Sequence, residues 1–150
     1  MPPSSRPILI VVADDDPDDC LLLREAFEQN RLANELRFVS NGQELLDYLQ
    51  CRGKYAGAAD QPRPGLILLD LNMPGKDGRQ ALAELKADPQ LRCIPVVVLT
   101  TSQVEEDIYR SYHLGVNSYI HKPVTFEALV EIVQALWRYW FEIVELPPGP

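Results

Sequence analysis

The sequence predicts an α/β fold in which a five-stranded parallel sheet is covered by helices on both faces. Three observations lead there. Apolar β-branched runs and amphipathic stretches alternate along the 150 residues, and such alternation implies parallel strands joined by right-handed helical crossovers. No internal repeat or interdomain linker interrupts the pattern. Polar, chemically active residues gather where the apolar runs end, and in open parallel sheets that edge is where ligands bind.

Each element has a local reason. PILIVVA (7–13) is a buried-strand run. Asp16 then suits an N-cap and Pro17 a first helical position, opening a helix over 17–32 with Leu21, Leu22, Arg24, Glu25 and Phe27 in a helical pattern. ELRFVS (35–40) is a weakly alternating second strand, and 41–50 turns helical through Leu45, Leu46 and Leu49. The Gly-, Ala- and Pro-rich segment 51–65 reads as a loop, longer than the ordinary connection of about 2–6 residues. LILLD (66–70) is the third strand, followed by a helix over 78–88 that stops before Pro89. IPVVVLT (94–100) is the most β-branched run. Ser102 and Glu105 have the spacing of a capping box for a helix over 102–115, with Gly115 as its stop. A short strand over 116–121 precedes one long helical pattern over 124–146.

Composition narrows the function. The length suits one domain, with a folded core expected over 6–146 inside a single unit of 1–150. No apolar run approaches the ~20 residues of a membrane span, and the N-terminal residues lack a signal-peptide core, so cytoplasmic residence and no membrane contact are expected. The net charge of -8 and pI near 4.7 argue against nucleic-acid binding, which needs a basic surface. Cys20, Cys51 and Cys93 show no metal or disulfide spacing and read as small buried hydrophobes. His113 and His121 are not spaced as metal ligands.

The strand ends carry the chemistry. Strand one ends in Asp14, Asp15 and Asp16, strand three in Asp70, strand four in Thr100, and strand five in His121 and Lys122 before Pro123. Carboxylates brought together repel one another, and either a cation or Lys122 relieves that. An all-oxygen set favours Mg²⁺, which commonly shares a phosphate with its carboxylates. No GxxxxGK[ST] loop is present to hold a nucleotide, so the phosphoryl group would sit on the protein or come from another protein. Asp is an established covalent acceptor, and Asp70 ends a strand expected to be central. Asp16 reads as a cap, and Asp18 and Asp19 as first-turn acids favoured by the helix dipole.

These residues resemble a family. The segments DDDP (14–17), LLDLNMPGKDG (68–78), PVVVLTTS (95–102) and SYIHKP (118–123) resemble the receiver domain of bacterial two-component response regulators, over residues 7–145. The resemblance implies a flavodoxin-like sheet of order 2-1-3-4-5. It implies Asp70 as phosphoacceptor. Mg²⁺ would be held by Asp15 directly, Asp14 mainly through water, Asp70 and the backbone carbonyl of Asn72. Thr100 would bond the phosphoryl oxygen, Lys122 would pair with the phosphoryl group or Asp70, and Tyr119 would be the switch aromatic. A cis Lys122–Pro123 bond is also implied. The loop 51–65, the phrase VVVLTTSQVEEDIYRSY and the tail ending VELP are similar to the single-domain regulators that serve bacterial phytochromes. A sensor histidine kinase, a bacteriophytochrome, is the implied partner.

Two other readings compete. An aspartyl phosphatase would carry a second acid two residues after its nucleophile, where this chain has Asn72. A phosphate-free scaffold would not need the complete set of acids, Thr100 and Lys122. In the last helix, Phe126, Leu129, Val133, Leu136, Trp137, Trp140 and Val144 form one apolar stripe that Ile132, Tyr139, Phe141 and Ile143 widen. A helix apolar nearly all round is buried on both sides, so a homodimer through the 102–146 face is expected, with a helix end folded over its own sheet as the alternative.

Overall fold

The computed structural model describes residues 8–32, 34–57, 63–102 and 104–143. Its strands are β1 (Ile10–Ala13), β2 (Leu36–Val39), β3 (Leu66–Leu69), β4 (Val96–Thr100) and β5 (Ser118–His121). Its helices are α1 (Pro17–Gln29), α2 (Gly42–Gln50), α3 (Gly78–Ala87), α4 (Glu105–Leu114) and α5 (Phe126–Trp137). All strand pairs are parallel, in the order β2-β1-β3-β4-β5. The expected fold class and strand order are both present.

The two-residue side-chain period of a strand divides the core. Val11, Ala13, Ile67, Leu69, Val96 and Val98 face one cluster, completed by Leu45 and Leu46 of α2 and Leu82 and Leu85 of α3. Ile10, Val12, Leu66, Leu68 and Val97 face the other, completed by Leu23, Ala26 and Phe27 of α1 and Leu129, Val133 and Leu136 of α5. Because both faces are covered, β1 and β3 are apolar at every position and β4 at every position but its last, Thr100. Chain direction reverses its lateral course between β1 and β3, which neighbour each other although β2 intervenes in sequence. That switch point is the crevice position of such sheets.

Several local expectations change. In α1 the buried face is Leu23, Ala26 and Phe27, whereas Leu21 and Leu22 are exposed; the i, i+3, i+4 spacing of the first three places them on one face. The Ser102–Glu105 capping box does not form. The cap of α4 is Val104, which makes no side-chain bond, because the Ser102 hydroxyl is drawn instead to Asp107 at 2.6 Å. The last helix is not continuous: after α5 the backbone widens to π-type turns over Arg138–Ile143. Wider turns rotate successive side chains less, and Trp140 returns to the α1–α5 cluster, 7% exposed. Trp140 therefore covers its own sheet, as in the alternative reading, while Tyr139 stays exposed. Val144, and the side chains of Phe141 and Ile143, lie outside the described residues. Cys51 and Cys93 are exposed and Cys20 half-buried, so the cysteines are not core fillers; Cys51 ends α2 in a left-handed conformation. No described peptide bond is cis, Lys122–Pro123 included.

Candidate functional site

The register of the sheet assembles the site. Ala13 pairs with Leu69, so Asp14 and Asp70 leave adjacent strands side by side, and the Asp70 amide donates to the Ala13 carbonyl. Thr100 ends β4 on the far side of Asp70, and Lys122 follows β5, its amide donating to the Thr100 carbonyl at 2.7 Å. Asp14, Asp70 and Thr100 are all buried, while Asp15 is exposed beside them.

The carboxylate of Asp70 is fully engaged. Its Oδ1 accepts from the Thr100 hydroxyl at 2.7 Å and the Asn72 amide at 3.1 Å. Its Oδ2 accepts from the Lys122 ammonium at 3.0 Å. Lys122 also donates to Asp14 and Asp19, both at 2.7 Å. Buried carboxylates without a counter-charge cost several kcal/mol each, and the one ammonium relieves two of them, Asp14 and Asp70, while also pairing with the half-exposed Asp19. Burial lowers the proton affinity of Lys122, yet its bonds to Asp14 and Asp19 outweigh this and hold it above the ordinary lysine range. Burial also raises Asp14, against the pull of Lys122 and of the Asp16 amide. The Cys20 thiol, next to Asp14, is pushed up to about 11, first by burial and then by Asp14, so it stays a thiol at neutral pH.

The donor set suits a hard divalent ion. Asp14, Asp15 and Asp70 each offer an oxygen, all within 4.8 Å of one another. Ligands opposite each other around Mg²⁺ lie about 4.2 Å apart, at ~2.1 Å from the ion on each side. Small side-chain adjustments therefore suffice, and the all-oxygen set excludes a preference for softer metals.

A second network lies behind Asn72. Its side-chain amide donates to Thr101 at 3.2 Å and its oxygen accepts from Arg79 at 3.2 Å. Arg79 forks onto both oxygens of Asp107 at 2.7 and 2.6 Å. Tyr119 packs partly buried against the α2–α3 cluster, and its hydroxyl donates to the Ser102 carbonyl at 3.1 Å. Thus Asp14, Asp15, Asp70, Thr100 and Lys122 converge, with Asn72 and Tyr119 adjoining. His113 and His121 lie elsewhere.

Sequence reasoning missed Asp19, Arg79 and Asp107. Asp19 has the signal of a first-turn acid on the helix that starts beside the acid pair, which assigns it a dipole role and conceals its reach to Lys122. Arg79 and Asp107 are 28 positions apart, and nothing local links them.

The chain is similar to known proteins over most of its length. The family described as the response regulator receiver domain matches residues 10–134. Response regulator Rcp1 of Synechocystis sp. is 42% identical over 144 residues, 96% of each chain. The phosphorylated cyanobacterial phytochrome response regulator RcpA is 43% identical, with a TM-score of 0.87 over 95% of this chain and 100% of that one. The bacteriophytochrome response regulator RtBRR is 40% identical, with a TM-score of 0.75 over 96% of this chain and 86% of that one. A solved structure of Rcp1 is a Mn²⁺-bound form, 42% identical, with a TM-score of 0.85 over 95% of this chain and 100% of that one.

Proposed function

Because the chain belongs to the response regulator receiver domain family, we propose that it is a phosphorylation-operated switch with Asp70 as phosphoacceptor. The observation that carries the reading is the buried Asp70 carboxylate, bracketed by the Thr100 hydroxyl and the Lys122 ammonium with two further acids alongside. A carboxylate oxygen of Asp70 attacks phosphorus in line. The bond to a phosphohistidine nitrogen of the donor breaks, and the imidazole leaves with the bonding pair. Asp14, Asp15, Asp70 and the Asn72 carbonyl would hold Mg²⁺, which when bound neutralises charge on the transferring group. Lys122 moves its bond from Asp70 to the new phosphoryl oxygens, and Thr100 donates to another of them.

The donor we propose is a sensor histidine kinase, a bacteriophytochrome by analogy with the relatives named for phytochromes. The rim of the cleft supports a protein donor: Leu22 and Val124 line it and both are exposed, Val124 at 99%, an apolar mouth better suited to protein docking than to a small ester. The output is a changed protein-binding face on α4, β5 and α5. Tyr119 couples to it through the Ser102 carbonyl, and exposed Tyr109, Tyr112 and Tyr139 offer contacts to a second copy of the chain. The phosphatase reading is weaker, because Asn72 stands where the acid belongs and its side chain is tied to Arg79 and Thr101.

The test is intact-mass measurement after incubation with Mg²⁺ and acetyl phosphate. A single phosphoryl adduct that is absent in Asp70→Asn supports the switch. No adduct, under conditions that label another receiver domain, sinks it, and turnover of generic phosphoesters favours the phosphatase.

A further inference from the structure

We infer that Arg79 and Asp107 act as one positioning tie that closes the two loops over the phosphoacceptor and sets how long the phosphoryl group survives. The inference rests on the phosphoacceptor reading of Asp70 and adds to it two residues that do not touch Asp70.

Five contacts carry it. Arg79 follows Gly78 at the start of α3, where the β3–α3 loop returns. Its guanidinium reaches back to that loop and donates to the Leu71 carbonyl at 3.2 Å and the Asn72 side-chain oxygen at 3.2 Å. The same group forks onto Asp107 of α4 at 2.7 and 2.6 Å. Asp107 in turn accepts from the Ser102 hydroxyl at 2.6 Å, on the loop after β4. Asn72 completes the circuit by donating to Thr101 at 3.2 Å. The ion pair therefore joins the loop after Asp70 to the helix and loop after Thr100, alongside the direct Asn72–Thr101 bond.

The geometry has a chemical consequence. A phosphorylated Asp70 is lost when water attacks phosphorus opposite the acyl oxygen, transferring the phosphoryl group to water and regenerating the carboxylate. The Asn72 amide and the Thr100 hydroxyl both donate to Oδ1 of Asp70, so the loops that run on from these two residues flank that carboxylate. A planar fork with several fixed donors holds both loops at one spacing, which an ammonium cannot do. Without the tie the Asn72 side chain loses the donor on its oxygen, the Asp107 side chain beside Ser102 loses its fork to α3, and the loops are left with the single Asn72–Thr101 bond and part. Water then gains access. Thr100 and Lys122 keep their own direct bonds to Asp70, so acceptance of the phosphoryl group is preserved while retention is not.

The experiment compares the parent protein with Arg79→Ala, Asp107→Asn and the double variant. Each is phosphorylated with acetyl phosphate and Mg²⁺, donor is removed, and the decay of the phosphoryl adduct is followed by intact mass. Thermal melting is recorded alongside. Asp107→Asn keeps the side-chain shape and guards against a folding failure of Arg79→Ala. Each single variant is expected to shorten the lifetime about tenfold, and the double variant no further, because residues acting as a unit are non-additive. Lifetimes within twofold of the parent in both single variants, whatever their melting temperatures, overturn the inference; so do effects that multiply in the double variant. A parent that takes no phosphoryl group at all fails the Asp70 reading instead, which keeps the two failures distinct.

Discussion

Thr100 Oγ1 donates to Asp70 Oδ1 at 2.7 Å, linking the ends of two neighbouring strands inside the site. Thr100 is fully buried, so the hydroxyl has no water to replace this partner. In the same structure the Tyr119 hydroxyl reaches the Ser102 carbonyl. Hydroxyl and ring are thus each held by a hydrogen bond, one to Asp70 and the other to the backbone of the loop after β4. Thr100→Ala removes a preorganised donor from the oxygens that develop charge. Phosphorylation by acetyl phosphate is expected to slow by up to ~10²-fold, the scale of one lost oxyanion donor. Thr100→Ser is expected to retain most of the rate. Adduct formation by intact mass gives both numbers, and equal rates in the two variants would remove Thr100 from the chemistry.

Asp19 gives Lys122 a partner that the metal reading does not need. A divalent ion competes with Lys122 for oxygens of Asp14 and Asp70, but not for Asp19, which holds the ammonium at 2.7 Å. Asp19→Asn leaves Lys122 dependent on the other two acids. Mg²⁺ affinity is expected to fall about threefold, a modest figure because the Asp19 side chain is 37% exposed and screened. Calorimetric titration measures it. In a Lys122→Ala background the same substitution is expected to have less effect; an undiminished loss there would mean that Asp19 acts on the ion directly.

Gly78 is fixed by the backbone it touches. A Cβ at this position would collide with the Asp70 carbonyl oxygen and lie 2.7 Å from the Leu71 Cα, neither of which is a flexible side-chain end. The Gly78 amide also donates to the Leu71 carbonyl at 3.1 Å. Gly78→Ala is expected to destabilise the fold by about 1–3 kcal/mol, and to reduce labelling of Asp70 in the molecules that remain folded. Chemical denaturation and adduct yield check the two parts. Unchanged labelling at unchanged stability would show that the loop can shift freely.

The Arg79 bond holds the Asp107 carboxyl below its ordinary value of 3.8, with the Ser102 hydroxyl adding to the effect. The unfolded chain therefore takes up this proton at higher pH than the folded one. The pair contributes stability above the ordinary value, and that contribution is lost as pH falls through the lower folded value. Arg79 is 36% exposed, so screening limits the contribution to about 0.2–1 kcal/mol. Melting temperatures between pH 5 and pH 2.5, a range of about that span around the carboxylate values, should fall less steeply in Asp107→Asn than in the parent protein. Parallel curves would show that the pair contributes nothing to acid stability.

Much of the site is legible because the chemistry follows strand ends. LILLD and IPVVVLT announce buried strands, and parallel topology then places Asp70 and Thr100 at one edge, whatever the details of packing. Asp14, Asp15 and Lys122 follow from the same rule. The helical neighbours are less legible. Leu21 and Leu22 look like a core face beside Phe27, yet the docking angle of α1 buries Leu23 and Ala26 instead. Ser102 has the spacing of a helix cap, yet Asp107 offers its hydroxyl a charged acceptor, and α4 starts later. Trp140 looks like a partner contact until the widened turn after α5 brings it home.

The sequence by itself determined the order of strands and helices, the acids and the hydroxyl at their carboxyl ends, and the family. Those features depend on side-chain period and chain direction, which are local. Only the tertiary structure decided that one ammonium serves Asp14, Asp19 and Asp70, and that Arg79 binds Asp107 across two elements. Such contacts join residues far apart in the chain, and they are chosen by burial. A charge removed from water must take whichever opposite charge the packing brings within about 3 Å, and no spacing in the sequence records that distance.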